Sequence, residues 1–79
     1  MTNLILSNNN VDKTVHINHE PKKVYEIIER ILPSMETQLC TSIDLMAKDN
    51  NVILLLDGVS RNMAAFIELI CTKEIAKAT

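Results

Sequence analysis

Apolar and polar residues alternate from residue 11 onward, with Val11, Lys13, Val15 and Ile17 on one side and Asp12, Thr14, His16 and Asn18 on the other. That two-residue period predicts a half-buried strand, the first in the chain. Pro21 then stands where a first helical residue would be. Val24, Ile27, Ile28, Ile31 and Leu32 follow at helical spacing, with Glu26, Glu29 and Arg30 opposite them, so a helix is expected from Pro21 until Pro33 stops it. A second strand is read in the alternation of Leu39, Thr41, Ile43 and Leu45 with Cys40, Ser42, Asp44 and Met46, closing at the turn Asp49-Asn50-Asn51. The run Val52-Ile53-Leu54-Leu55-Leu56 is apolar at every position, which suits a third strand covered on both faces. Asp57-Gly58 ends it, and a last helix runs from an N-cap at Ser60 to about Lys77, with Lys73 and Lys77 near its C-terminus, where cations are favoured.

The expected fold class is therefore α+β, in the order β-α-β-β-α. Its sheet is expected to be three-stranded and antiparallel, in order 1-3-2, with the two helices on one face. Ser7-Asn8-Asn9-Asn10 reads as a loop or frayed tail, because Asn and Ser side chains compete locally for backbone hydrogen bonds. Residues 1–10 are accordingly read as a flexible N-terminal segment, and residues 11–79 as one α+β domain. No internal repeat, low-complexity linker or long charge block divides the chain.

Composition sharpens this picture. At 79 residues, with 47% hydrophobic and 3% aromatic positions, the core must be aliphatic and thin, and domains of this size commonly lean on a disulfide, a metal or a second subunit. Cys40 and Cys71 are the only cysteines, and without a secretory signal they read as free buried thiols. The apolar triplet Leu4-Ile5-Leu6 is too short for a signal peptide or a membrane span, so the expectation is a soluble, cytoplasmic protein that does not engage a membrane. The formal net charge of −2 gives no overall field that favours a nucleic-acid backbone.

Catalytic and ligand chemistry find little support. His16 and His19 lack the paired spacing of a zinc site with Cys40 and Cys71, and no metal or cofactor is expected. Gly58 is the only glycine, which excludes a glycine-rich phosphate loop. Glu26, Glu29 and Arg30 line the polar side of a helix, where solvated charges belong. Cys40 has no base placed beside it by any local pattern. The chain is not read as an enzyme.

Partner binding fares better. With both helices on one face of a thin sheet, half of Val52–Leu56 points to the other face, and Ile53 and Leu55 are the candidate sheet contacts for a second subunit, although their facing is open. The alternative cover is the Leu4-Ile5-Leu6 segment folded over that face. On the last helix, Met63, Ala64, Phe66, Ile67, Ile70, Cys71 and Ile75 form a broad apolar arc suited to the sheet. Ala65, Leu69 and Ala76 form a weaker outer stripe, and Ala65 and Leu69 are candidate contacts for a partner helix, with scattered surface residues as the alternative.

Two segments, VHINHEPKKVYEIIERILPSME and LLLDGVSRNMAAFIELI, resemble the small dimerising (Pcc-type) subunit of the KEOPS complex and its relatives among the cancer-testis antigens. The first is similar to that family's strand and helix ending in a Pro-acidic step, the second to its strand, acidic turn and final helix. The resemblance covers Val11 to Ala76. It implies a noncatalytic role in forming threonylcarbamoyladenosine in tRNA, as a homodimer or as a heterodimer with a paralogous small subunit, docked through its helices on the catalytic threonylcarbamoyl transferase. Where the family has a Leu-Arg-Ala step early in the last helix, this chain reads Asn62-Met63-Ala64, with Arg61 earlier. That departure implies at most indirect or weak tRNA contact, and a divergent archaeal-type paralogue. The alternative is a stand-alone RNA-binding or protein-interaction module, for which no aromatic pair is found on a predicted strand: Tyr25 and Phe66 both fall on helices.

Overall fold

The computed structural model describes residues 1–78. Its elements are β1 (Thr2–Asn8), β2 (Val11–Ile17), α1 (Pro21–Leu39), β3 (Asp44–Lys48), β4 (Asn51–Leu55) and α2 (Arg61–Lys77). The four strands form one mixed sheet in the order β2-β1-β4-β3. β1 pairs antiparallel with β2 and parallel with β4, and β3 pairs antiparallel with β4. The expected three-stranded antiparallel sheet is thereby corrected. A fourth strand exists, and it inserts between the first expected strand and the apolar one, so that these two never meet.

That additional strand is β1, formed by the stretch the hydropathy pattern leaves as a tail. Leu4 is fully buried and Leu6 nearly so, facing the helices, while Asn3, Ile5 and Ser7 face the other way. The strand is returned into β2 by Asn9 and Asn10, both at positive φ (52° and 68°). Two consecutive left-handed residues between paired strands make the primed turn whose twist matches a hairpin, and Asn tolerates that conformation better than most side chains. The Thr2 hydroxyl, itself buried, donates to the His19 carbonyl at 2.6 Å and pins the start of β1 beneath the beginning of α1.

Helix α1 begins as its proline suggests, with Pro21 in the first turn. It does not stop at Pro33, which lies inside it. An interior proline loses one backbone hydrogen bond and crowds the preceding turn, a cost of about 3 kcal/mol. The two turns beyond it are held by other means. Met35 is buried in the core and Leu39 packs at its margin, and burying such a side chain is worth roughly 1.5–3 kcal/mol. The Thr37 hydroxyl donates to the Pro33 carbonyl at 2.9 Å. Cys40 then ends the helix in the left-handed region, φ 52°. Because the helix consumes Leu39, β3 starts only at Asp44, later than the alternation of residues 39–46 implies.

Both helices lie on one side of the sheet, where Leu4, Leu6, Ile17, Val52, Leu54 and Leu56 meet Val24, Ile27, Ile28 and Met35 of α1 and Ile67, Cys71 and Ile75 of α2. The Ser60 hydroxyl accepts the N–H of Met63 at 3.2 Å, capping α2. Phe66, expected in the core-facing arc, is 49% exposed. It precedes the fully buried Ile67 by one residue, which rotates it about 100° out of the core.

Candidate functional site

Among the described residues, the side of the sheet away from the helices carries no other element. Strand pairing arranges its side chains in three rows that cross all four strands. One end row is His16, Asn3, Asn51 and Lys48, the middle row Thr14, Ile5, Ile53 and Met46, and the other end row Asp12, Ser7, Leu55 and Asp44. Ile5, Ile53 and Leu55 are half-buried by their neighbours, and Met46 is 45% exposed. The candidate contacts Ile53 and Leu55 therefore share this face, whereas Val52, Leu54 and Leu56 point into the core. Leu4-Ile5-Leu6 does not fold over the face. It widens the sheet instead, adding Ile5 to the uncovered row.

The end row containing the histidine is a connected polar ladder. The Asn3 side-chain amide donates to Asn51 Oδ1 at 3.1 Å, and its own oxygen lies 2.9 Å from His16 Nδ1. An Asn3 amide oriented this way presents an acceptor to the ring, so His16 serves as the donor through Nδ1. Asp12, Asp44 and Lys48 are solvent-exposed at three corners of the face, with His16 at the fourth.

The second apolar surface is the outward ridge of α2. Ala65, Phe66 and Leu69 are exposed there, Leu69 to 50%, with Ala76 further along the helix. Ala65 and Leu69, the two candidate helix contacts, thus sit together on one ridge, and Phe66 joins them. The sequence signal for Phe66 was its place at the border of the core arc, next to a residue that takes the central position.

Two grooves flank this ridge. One, of about 610 Å³, lies between the β1–β2 hairpin and α2 and is lined by Leu6, Val11, Leu56, Val59 and Ala64 among others. Lys13 spans it to Glu68 in an ion pair of 2.9 Å, and Val11 is 71% exposed at its rim. The other, of about 410 Å³, runs between α1 and α2 past Arg30, Met35, Phe66, Ile70 and Lys73. Lys13 is neutralised by Glu68, and an exposed surface pair of this kind is a weak, solvent-screened contact.

The cysteines differ. Cys71 is fully buried, and burial pushes its thiol from 9.0 up to about 12, which keeps it protonated and unreactive. Cys40, expected to be buried, is exposed, because the helix runs to Leu39 and leaves Cys40 at its left-handed cap. Its thiol lies 3.8 Å from the Thr37 carbonyl and beside no base. Among the described residues, no group of three or more His, Cys, Asp or Glu side chains could hold a metal ion, and no helix is long and apolar enough to cross a membrane. The arrangement offers apolar surface on both layers. No protein-family model, curated protein or solved structure matches the chain.

Proposed function

We propose that this chain is a noncatalytic dimerisation and scaffold subunit of the KEOPS type, working in the cytoplasm in support of threonylcarbamoyladenosine formation in tRNA. The observation that carries the reading is that apolar side chains lie uncovered on both layers of so small a domain. Ile5, Ile53, Leu55 and Met46 do so on the sheet, and Ala65, Phe66 and Leu69 on α2. Contiguous apolar surface of this kind marks sites of association. Two such surfaces on opposite layers suit a subunit that holds a like partner on one side and a larger one on the other.

The resemblance of residues 11–76 to the small KEOPS subunit supplies the identity of those partners. The like partner is a second copy or a paralogous small subunit, and the larger one is the catalytic threonylcarbamoyl transferase, received on the α2 ridge. Transfer RNA is engaged at most indirectly. The open sheet face carries no Phe, Tyr or Trp ring, since Tyr25 and Phe66 are both helical, and its one imidazole, His16, stands alone at a corner, so it lacks the paired stacking platform of a sheet that binds single-stranded RNA.

Light scattering of the purified chain, alone and mixed with the catalytic subunit and the standard small subunit, tests this reading. A dimer that captures the catalytic subunit is expected, and Leu69→Asp should abolish the capture without unfolding the chain. A folded monomer that captures neither would remove the assignment.

A further inference from the structure

The open sheet face has a charge pattern that selects one way of covering it. Asp12 and Asp44 occupy the two corners of one end row, and His16 and Lys48 occupy the two corners of the other. All four are exposed. The apolar residues Ile5, Ile53 and Met46 occupy the row between these ends.

Two copies of a sheet can meet face to face about a two-fold axis in only two aligned ways, because the axis lies in the interface and runs either along or across the strands. An axis along the strands sets Asp12 over the partner subunit's Asp44 and His16 over the partner subunit's Lys48. Acid then meets acid, and base meets base. An axis across the strands sets each strand over its own copy, running in the opposite direction. The middle row then meets itself, Lys48 meets the partner subunit's Asp44, His16 meets the partner subunit's Asp12, and symmetry makes each pairing twice. Packed sheets lie about 10 Å apart, a gap that lysine and aspartate side chains reach across together. The two Asp12–Asp44 contacts of the first arrangement bring like charges face to face, which costs several kcal/mol, whereas the second sets Lys48 against Asp44 twice, so the pattern favours the second.

We infer that a second copy of this chain covers the open face of the sheet, about a two-fold axis crossing the strands through the Thr14–Ile5–Ile53–Met46 row. This rests on the reading that the chain pairs with itself, and it specifies the surface and the register. Ile53 packs on the partner subunit's Ile53 and Ile5 on its counterpart, closing a sandwich whose outer layers are the two helix pairs. Leu55, in the acidic end row, lies over the polar end row of the partner and covers the aliphatic edge of its Asn51.

Charge reversal tests the register. Lys48→Asp and Asp44→Lys are each prepared as the full chain, checked for folding by circular dichroism, and compared with the wild type by native mass spectrometry and sedimentation. Each variant alone should self-associate at least about tenfold more weakly than the wild type, because each sets like charges against one another twice. An equimolar mixture should form heterodimers well beyond the statistical share. In the mixed pair the acid introduced at position 48 of one variant faces the base introduced at position 44 of the other, and the native Asp44 and Lys48 that remain face each other as well. The double variant Lys48→Asp/Asp44→Lys should pair with itself as the wild type does. A wild-type dimer whose charge variants mix at random would overturn the inference and leave self-pairing to another surface. A wild-type monomer that still captures the catalytic subunit would overturn self-pairing itself and leave the α2 docking reading intact.

Discussion

The Glu36 carboxylate accepts the backbone N–H of Ile43 at 2.9 Å, across the bend that joins α1 to β3. Ile43 is itself buried, so this one contact satisfies a backbone donor, fixes the path of residues 40–43 and steadies the two helical turns beyond Pro33. A hydrogen bond to a charged acceptor contributes about 1.5–3 kcal/mol. Glu36→Ala should therefore lower stability in urea by about 1–3 kcal/mol, and Glu36→Gln, which keeps an acceptor, by less. Equal midpoints for all three chains would mean that the bend is held by packing alone.

The central place of β1 makes a second prediction. Leu4 is fully buried between two neighbouring strands and the helices, and truncating such a side chain typically costs about 2–5 kcal/mol. In a domain this small that is a large share of the total. Leu4→Ala should lower the thermal midpoint sharply, and removal of β1 (Thr2–Asn8) should leave a chain without a cooperative transition. A truncated chain that melts like the parent would show that the strand is dispensable.

How much of this was legible can be judged from the two strands that flank β1. The alternation at residues 11–17 and the apolar run at 52–56 are local patterns, and both locate strands within a residue of where they lie. β1 has the same period, but Ile5 fills an outward position and turns Leu4-Ile5-Leu6 into a featureless apolar triplet beside a polar cluster. The usable signal was the Asn9-Asn10 pair, a hairpin turn standing between two strand-like segments. The parallel pairing of β1 with β4 had no local signal at all, because it joins residues 48 positions apart. For the interaction surfaces, period alone put Ala65 and Leu69 on the outer ridge. The companions of Ile53 and Leu55 could be named only once the neighbouring strands were known.

Gly58 separates steric room from backbone preference. Its φ is +80°, while a methyl group added there would meet nothing within 4 Å. Its N–H donates to Asn9 Oδ1 at 3.0 Å, linking the β1–β2 turn to the start of the α2 connection. Gly58→Ala should cost about 1–2 kcal/mol through the left-handed backbone alone, with the same spectrum in the near ultraviolet. A neutral substitution would show that the turn relaxes to another conformation.

The two thiols should respond oppositely to an aromatic disulfide reagent, Cys40 reacting at once and Cys71 only on unfolding. Stability in alkali follows from the same burial. The unfolded thiol ionises near 9.0, whereas the folded one waits until about 12, so between those values the unfolded state binds fewer protons and stability falls as pH rises. Below that window both states are protonated and the group adds no pH dependence. Wild type should thus lose up to about 1.4 kcal/mol per pH unit more than Cys71→Ala above about pH 9. Parallel pH profiles for the two would contradict the assignment.

The seam between β1 and β4 also orders events in time. Each hairpin closes on itself through residues a few positions apart, but the junction that unites them must wait until the chain has been made almost to α2. On the ribosome, the first hairpin emerges with Leu4 and Leu6 facing outward and one strand edge unclaimed, and it stays so until α1, β3 and β4 have followed it. In that interval another nascent chain offers the same edge. The step most exposed to misassembly is therefore the union of the two hairpins, and faster delivery of β4 would protect the product more than a stronger first hairpin would.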